Sequence, residues 1–384
     1  MSDVDQLNQE QRELLYAVEK NDGRQLVVLG GASSTDVNFH IGQDGMFLLL
    51  IAAAKGHDEM INLLLQNRRL DINKRDKFGV NAFWIAAFYG HVKTLELLAK
   101  TEIDKYAMNQ NGSNALHMAV KRNNREVLNA LIKMDYDLNR PKNNGVTALG
   151  IAALAGNDDF FTNLMDNGAD PAYTNERGIG ALYLAIKGKS KTLTQLLVNL
   201  GVPVHYADDP QKVDNSAVFY AIRMNNQGAL EAISDRIGIE QLNFMTNSQG
   251  HNPLTYAASL KNFELVNYLT GRGMHIDVED REGKTVLLRA LESYNQGLAE
   301  KLLARGADID LVNREGKTAL SILVQRHYLE QVNFLIERGA NCHIEDLSGR
   351  DACDYAELGD VHVFPQLNNC RKYNMHLRIK CDVD

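Results

Sequence analysis

Apolar positions recur along this chain with a helical period, in short runs that polar segments interrupt. One complete unit spans Gly283 to Gly316. Thr285 stands where a hydroxyl can accept an unpaired backbone N–H and so begin a helix. An apolar run over 286–291 follows, and polar residues separate it from a second run over 298–303. Gly306 supplies a helix C-terminal stop, so the unit is expected to be helix, turn, helix and protruding finger.

The same unit repeats with a period close to 33 residues. Most units carry a good N-capping residue two positions past the turn, an alanine seven past it and a leucine or isoleucine nineteen past it. A small side chain lets adjacent helices approach closely, which accounts for the alanine column. A 33-residue period of paired helices is typical of a stacked repeat array. The turns fall at Gly45, Gly79, Gly112, Gly145, Gly178, Asp214, Gly250, Gly283, Gly316 and Gly349.

Short motifs within these units resemble those of ankyrin-repeat proteins. The helix start T-P-L-H-x-A has counterparts in NALHMA (114–119), TALGIA (147–152) and NPLTYA (252–257). A glycine-histidine pair precedes the second helix at Gly56-His57, and a G-A-D connector stands at Gly168-Ala169-Asp170. The chain resembles this family over roughly 14–367. The resemblance implies an all-α ankyrin-repeat solenoid of about ten to eleven helix-turn-helix repeats.

The predicted organisation has three parts. Residues 1–12 form an N-terminal segment, 13–367 the ankyrin-repeat domain and 368–384 a C-terminal tail. Within the repeat domain, 13–40 reads as a degenerate repeat that caps the stack. The connector 202–212 is unusually long and contains two prolines, which suggests a hinge or bend. A tolerated loop insertion is the alternative, because lengthening a loop costs little free energy.

The tail alternates apolar and polar residues from Tyr373 to Lys380, which is a strand period rather than a helix period. We hypothesise that it pairs with a strand elsewhere, including one in a partner, by strand addition. An irregular terminus is the alternative.

Composition narrows the functional classes. The formal net charge of −8 argues against a general nucleic-acid binder. No apolar run reaches the length of a membrane span. The first ten residues are acidic and polar, unlike a signal peptide, so a cytoplasmic location is expected, with the cytoskeleton or a cilium as the alternative. Four cysteines without a regular framework agree with a reducing compartment.

Motifs for catalysis or nucleotide binding are missing from the sequence. Gly283-Lys284-Thr285 and Gly316-Lys317-Thr318 resemble the end of a phosphate-binding loop, but Val278 and Leu311 stand where that loop needs a glycine. There is no G-x-S-x-G and no H-E-x-x-H. We therefore predict that the chain is not an enzyme and needs no cofactor.

The four cysteines all lie near the C-terminus with histidines close by, which raises the question of a zinc site. They are Cys342, Cys353, Cys370 and Cys381. Structural zinc sites usually contain a C-x₂₋₄-C pair, and this spacing is lacking. The repeat register places Cys342 and Cys353 at apolar positions, where cysteine behaves as a small hydrophobe. We therefore predict no metal site.

The family resemblance implies protein binding on a concave face made of fingers and first helices. Four of the first six units carry lysine or arginine near the end of the first helix, and one carries an aromatic pair. We hypothesise that this stripe binds an acidic segment of a protein partner. The alternative is that these cations offset the negative helix terminus. Together with two finger-tip residues, the candidate partner-binding residues are Phe78, Phe88, Tyr89, Lys121, Arg122, Arg177, Lys187 and Arg223.

The predicted function is thus a non-catalytic protein-interaction module, a scaffold or adaptor. The alternative is a structural subunit of a larger cytoskeletal or ciliary assembly.

Overall fold

A computed structural model describes residues 7–29, 35–205 and 213–358. The described residues form 22 α-helices and no strand; pairing is limited to two isolated bridges, Ile41 with Met46 and Thr174 with Gly180. The all-α repeat fold predicted from the sequence is confirmed. The tail 368–384, the end of the repeat domain over 359–367, the connector residues 206–212 and parts of the N-terminal segment and first repeat lie outside the described residues.

The chain divides into two compact units, Met1–Val202 and Pro203–Asp384. In the first unit, helices pair in chain order as first and second helix of each repeat. These helices are α1 Gln9–Lys20, α2 Gly23–Val28, α3 Leu48–Lys55, α4 Asp58–Leu64, α5 Ala82–Tyr89, α6 Val92–Ala99, α7 Ala115–Lys121, α8 Arg125–Lys133, α9 Ala148–Ala155, α10 Asp158–Asp166, α11 Ala181–Lys187 and α12 Lys191–Asn199.

The second unit begins with a 3₁₀ turn over Val213–Asn215 and otherwise follows the same plan, with one additional helix, α15. Its helices are α13 Ala217–Arg223, α14 Gln227–Ile237, α15 Ile239–Phe244, α16 Pro253–Ser259, α17 Phe263–Gly271, α18 Val286–Glu292, α19 Gln296–Ala304, α20 Ala319–Gln325, α21 Leu329–Glu337 and α22 Ala352–Leu358.

Side-chain caps fix where most first helices begin. The Asn81 side chain accepts from Trp84 N–H, Asn114 from His117 N–H and Thr285 from Leu288 N–H. Ser216 stands at the predicted capping position but makes no such bond. Second helices have caps that the sequence analysis missed: the side chains of Asn124, Asn157, Ser190, Asn226, Asn262 and Asn295 each accept a backbone N–H three residues on.

The two apolar columns form the core. A methyl side chain at the seventh position lets neighbouring first helices pack closely, and burial of the larger column contributes to the hydrophobic stabilisation. Fully buried alanines are Ala52, Ala86, Ala119, Ala152, Ala185, Ala221, Ala257 and Ala290, and fully buried members of the larger column are Leu64, Leu98, Leu131, Leu164, Leu197, Ile233, Leu269, Leu302 and Leu335.

Asparagine side chains join successive connectors in the first unit. Asn73 donates to the Glu102 carbonyl at 3.1 Å and accepts from Asp104 N–H at 2.6 Å. Asn139 repeats the pattern with Gly168 and Asp170, and Asn38 makes the same pair of bonds with Arg69 and Asp71. One amide thus satisfies a donor and an acceptor of the following connector, which fixes the spacing of adjacent repeats.

Candidate functional site

Three of the predicted partner-binding residues lie together at the ends of α5 and α7. The Arg122 guanidinium lies 4.3 Å from the centroid of the Phe88 ring. Phe88 stacks on Trp84 with centroids 5.4 Å apart and meets the edge of Tyr89 at 5.0 Å. Tyr89 is 54% exposed. Phe88, Tyr89 and Arg122 therefore form one surface, which we call the aromatic cluster.

Trp84 holds this cluster in place. It is buried, and its indole N–H donates to the Ser113 carbonyl in the next finger at 2.7 Å. Because its neighbours are fixed, the Phe88 ring offers a preorganised face at little entropic cost.

Arg177 and Lys187 line a second feature, a groove of about 860 Å³. Its walls are the fingers 142–146 and 173–179 together with the exposed sides of α9 and α11. Lys142 contributes a third cation, whereas Glu176 is the one carboxylate among the lining residues. The lining thus has an excess of two positive charges in a chain that is acidic as a whole.

Lys142 stands at a position where most other fingers have a side chain that closes the turn. Three residues before the turn glycine, most fingers carry an asparagine or aspartate whose side chain accepts two backbone N–H groups across the turn. This arrangement, an Asx turn, is made by Asp76, Asn109, Asn175, Asn247, Asp280, Asn313 and Asp346.

In the finger before Gly145, Lys142 occupies that position, and the Asn144 side chain accepts from Val146 N–H instead, at 3.2 Å. The side chain of Lys142 is therefore not used to close its own turn and lines the groove. Among the described residues, neither Lys142 nor Lys187 forms an ion pair.

His117 is buried in α7 and takes part in the cap at the start of that helix. Its Nδ1 accepts from Asn114 N–H at 3.2 Å, while Asn114 Oδ1 accepts from His117 N–H at 3.1 Å. Burial and, secondarily, the positive charge of Lys142 lower the His117 pKa from 6.5 to about 4, and the backbone of Val146 opposes the shift. His57 and His91 tie repeats together: each ring nitrogen contacts a carbonyl of the preceding repeat, Val18 and Ala54 respectively.

Phe78 and Arg223 lie apart from these two features. Phe78 is 44% exposed at a finger tip, with the Lys77 ammonium 5.0 Å from its ring centroid. Arg223, in the second unit, lies 4.9 Å from the Tyr220 ring and donates to Asn215 Oδ1 at 3.1 Å. The last residue of a first helix is Lys121 in α7, Lys187 in α11 and Arg223 in α13. The alternative given above, that these cations offset the negative end of the helix, therefore applies to all three.

A cluster of metal-ligating side chains is present in the last described repeat. The sulfur atoms of Cys342 and Cys353 and one ring nitrogen of His343 all lie within 4.8 Å of one another. Both cysteines are buried, as the repeat register predicts. The sequence analysis noted histidines close to the cysteines but predicted no metal site, because the ten residues between Cys342 and Cys353 are not a recognised ligand spacing.

Comparison with known proteins agrees with the fold. A family model described as ankyrin repeats, in three copies, matches residues 14–109, 103–175, 182–280, 238–313 and 254–346. The chain belongs to the ankyrin-repeat family. Ankyrin repeats are generally protein–protein interaction modules, and the family is typically non-catalytic.

Among solved structures, the ankyrin repeat domain of Bcl-3, a member of the IkappaB protein family, is 24% identical to this chain. The match covers 54% of this chain and 92% of that one, with a TM-score of 0.47. A likeness at this level says nothing about what this ankyrin-repeat chain binds. No curated protein matches the chain. Among the described helices, none has the length and apolar character needed to cross a membrane.

Proposed function

We propose that this ankyrin-repeat chain is a cytoplasmic, non-catalytic adaptor or scaffold that binds an acidic segment of a protein partner. The segment occupies the groove between the fingers 142–146 and 173–179, and its flank reaches the aromatic cluster. The groove is lined by fingers and first helices, the elements that the family resemblance assigns to partner binding.

The observation that carries this proposal is the release of Lys142 from turn closure. In seven other fingers the equivalent side chain is committed to two backbone N–H groups, as Asn175 is in the facing finger. At residue 142 the chain has a long cation instead, which lines the same groove as Arg177 and Lys187. A carboxylate held among these cations gains charge-assisted hydrogen bonds.

Tyrosines complete the groove in a way that suits a peptide. Tyr173 and Tyr183 line it, and both are partly buried. Aromatic side chains and arginine contribute most of the binding energy at many interfaces. A segment with alternating acidic and apolar residues matches this lining better than a uniformly acidic one.

The test is a selection from a random peptide display library with the full chain, followed by affinity measurement with labelled peptides. We expect enriched sequences to contain Asp or Glu beside an aromatic residue. The double variant Lys142→Glu/Lys187→Glu is expected to bind them at least tenfold more weakly, about 1.4 kcal/mol. Affinity for the wild-type chain is expected to fall as salt concentration rises.

A matched control is Lys133→Glu/Lys301→Glu. Both of these lysines are exposed in the last turns of second helices, α8 and α19, and the control carries the same change in net charge. It should bind with wild-type affinity. Equal weakening by both double variants would mean that only net charge matters, and unchanged binding by the groove variant would place the interaction elsewhere.

A further inference from the structure

The donor cluster in the last described repeat has the composition of a zinc site. Two thiol sulfurs and an imidazole nitrogen converge, from Cys342, Cys353 and His343, with every pair of ligand atoms within 4.8 Å. Cys342 and Cys353 are only 6% and 5% exposed, and neither forms a disulfide with a described residue. His343 keeps about a third of its side chain exposed, so the cluster is reachable from solvent on one side.

The backbone sets this convergence. Ala352 N–H, at the start of α22, donates to the Cys342 carbonyl at 3.2 Å. That bond brings the connector that carries Cys342 and His343 against the helix that carries Cys353. The three donors are therefore placed by main-chain geometry before any ion binds.

Asp351 orients the histidine. Its Oδ2 lies 3.1 Å from His343 Nδ1, while its Oδ1 accepts from Asp354 N–H at 2.9 Å and so caps α22. Metal-binding histidines commonly pair with a carboxylate, which fixes the ring and raises its basicity. The same aspartate here serves both the helix start and the imidazole.

We propose that Cys342, His343 and Cys353 form a Zn²⁺ site that fastens α22 to the preceding connector. Two thiolates and an imidazole are ligands that zinc prefers over the hard cations. Tetrahedral coordination with Zn–S bonds of about 2.3 Å places two sulfurs about 3.8 Å apart. The sulfur atoms of Cys342 and Cys353, which lie within 4.8 Å of each other, would therefore have to approach by at most about 1 Å.

Binding releases the two thiol protons, so that the zinc charge is balanced by two thiolates. Water or another donor occupies the fourth position of the tetrahedron. The site does not depend on the proposed partner binding, because it lies in the second unit, whereas the groove lies in the first.

The test uses the full chain, reduced and stripped of metal, titrated with Co²⁺ as a spectroscopic probe and then with Zn²⁺. We expect about one Co²⁺ per chain with thiolate-to-metal charge-transfer absorption, and displacement by Zn²⁺. Cys342→Ala/Cys353→Ala is expected to lose this absorption. Alanine keeps a small apolar side chain at each buried position, and circular dichroism of the variant checks that it remains helical.

Two further variants sharpen the test. Asp351→Asn keeps a good helix cap but removes the carboxylate, and is expected to weaken zinc binding 10- to 100-fold. Cys370→Ser/Cys381→Ser changes the two cysteines outside the described residues and is expected to bind normally. Retention of the charge-transfer band by Cys342→Ala/Cys353→Ala overturns the proposal, as does its loss only with Cys370→Ser/Cys381→Ser. A Cys342–Cys353 disulfide in place of metal binding overturns it as well.

Discussion

Arg289 Nε donates to Asp280 Oδ2 at 2.6 Å, joining the first helix of one repeat to its own finger through a buried ion pair. The other carboxylate oxygen closes the finger by accepting from Glu282 and Lys284 N–H. Burial alone would lower the Arg289 pKa, but the hydrogen bonds and negative charges of Asp280 and Glu282 together outweigh it and raise the arginine pKa. One aspartate therefore holds both the turn and the helix.

Replacing this aspartate by asparagine separates its two roles. Asp280→Asn keeps the Asx turn but leaves the mostly buried Arg289 with only Glu282 as a counter-ion. We expect a loss of about 3 kcal/mol in the free energy of unfolding of the second unit. Urea denaturation followed by circular dichroism measures it.

Asp76→Asn is the matched control. Asp76 closes its finger in the same way, but burial raises its pKa and Asp44 adds a repulsion. The control substitution should leave stability within about 0.5 kcal/mol of wild type or increase it slightly. Equal losses in both variants would show that the turn, and not the ion pair, determines the effect.

His117 is expected to make the stability of the first unit sensitive to acid. Burial lowers its folded-state pKa to about 4 from 6.5, so the unfolded chain takes up a proton before the folded chain does. Stability is full above pH 6.5 and decreases as the pH falls toward 4. The loss attributable to this group is about 2 kcal/mol by pH 5.

The measurement is urea unfolding at several pH values, read by the fluorescence of Trp84, the one tryptophan in the chain. His117→Gln removes the titrating group, so the difference in unfolding free energy between wild type and variant should narrow as the pH falls from 6.5 to 5. A constant difference across that range would contradict the assignment.

Gly112 is expected to tolerate alanine far less well than Gly168. Both have positive φ, 73° and 96°, so both substitutions carry a penalty of about 1 kcal/mol. A Cβ on Gly112 would also lie 2.3 Å from the backbone nitrogen of Asn143 in the next finger, whereas Gly168 has open space around it. We expect losses of about 3 and about 1 kcal/mol respectively, measured by Trp84 fluorescence in urea. Similar losses would show that the fingers separate easily.

The Phe88–Arg122 contact is expected to stabilise the aromatic cluster by a measurable coupling. A double-mutant cycle with Phe88→Ala and Arg122→Ala should give a coupling free energy of about 0.5–1 kcal/mol, typical of an exposed cation–π pair. The control is Lys121→Ala. Lys121 is next to Arg122 but makes no cation–π contact among the described residues, so it should not couple to Phe88. Zero coupling for the Arg122 pair would mean that the guanidinium does not lie on the ring in solution.

The repeat register was predictable from sequence because it depends on local chemistry. Helix caps such as Asn81 and Asn114 act within three residues, and the alanine and leucine columns follow from close packing of identical units. The Asx turns were also within reach: an asparagine or aspartate stands three residues before most turn glycines. Recognising that column would have marked Lys142 as the one position in it that carries a cation, Gly42 and Gln211 being the other two positions without an asparagine or aspartate.

The candidate sites were harder to predict because each depends on contacts between repeats. Lys142, Arg177 and Lys187 meet only because successive fingers stack. The predicted stripe extends over both units, since Arg223 lies in the second unit beside Tyr220 and Asn215. Cys342 and Cys353 come together because Ala352 N–H bonds to the Cys342 carbonyl. Rules for the spacing of metal ligands in a sequence do not predict such a contact.

The asparagine links between connectors have a mechanical consequence. Asn38, Asn73 and Asn139 each bond to the connector of the following repeat, so tension in the first unit is carried through a series of short links. Breaking one link frees a single repeat and leaves its neighbours bonded. Under force, we expect this unit to lengthen in increments of one repeat, about 110 Å of released chain for 33 residues.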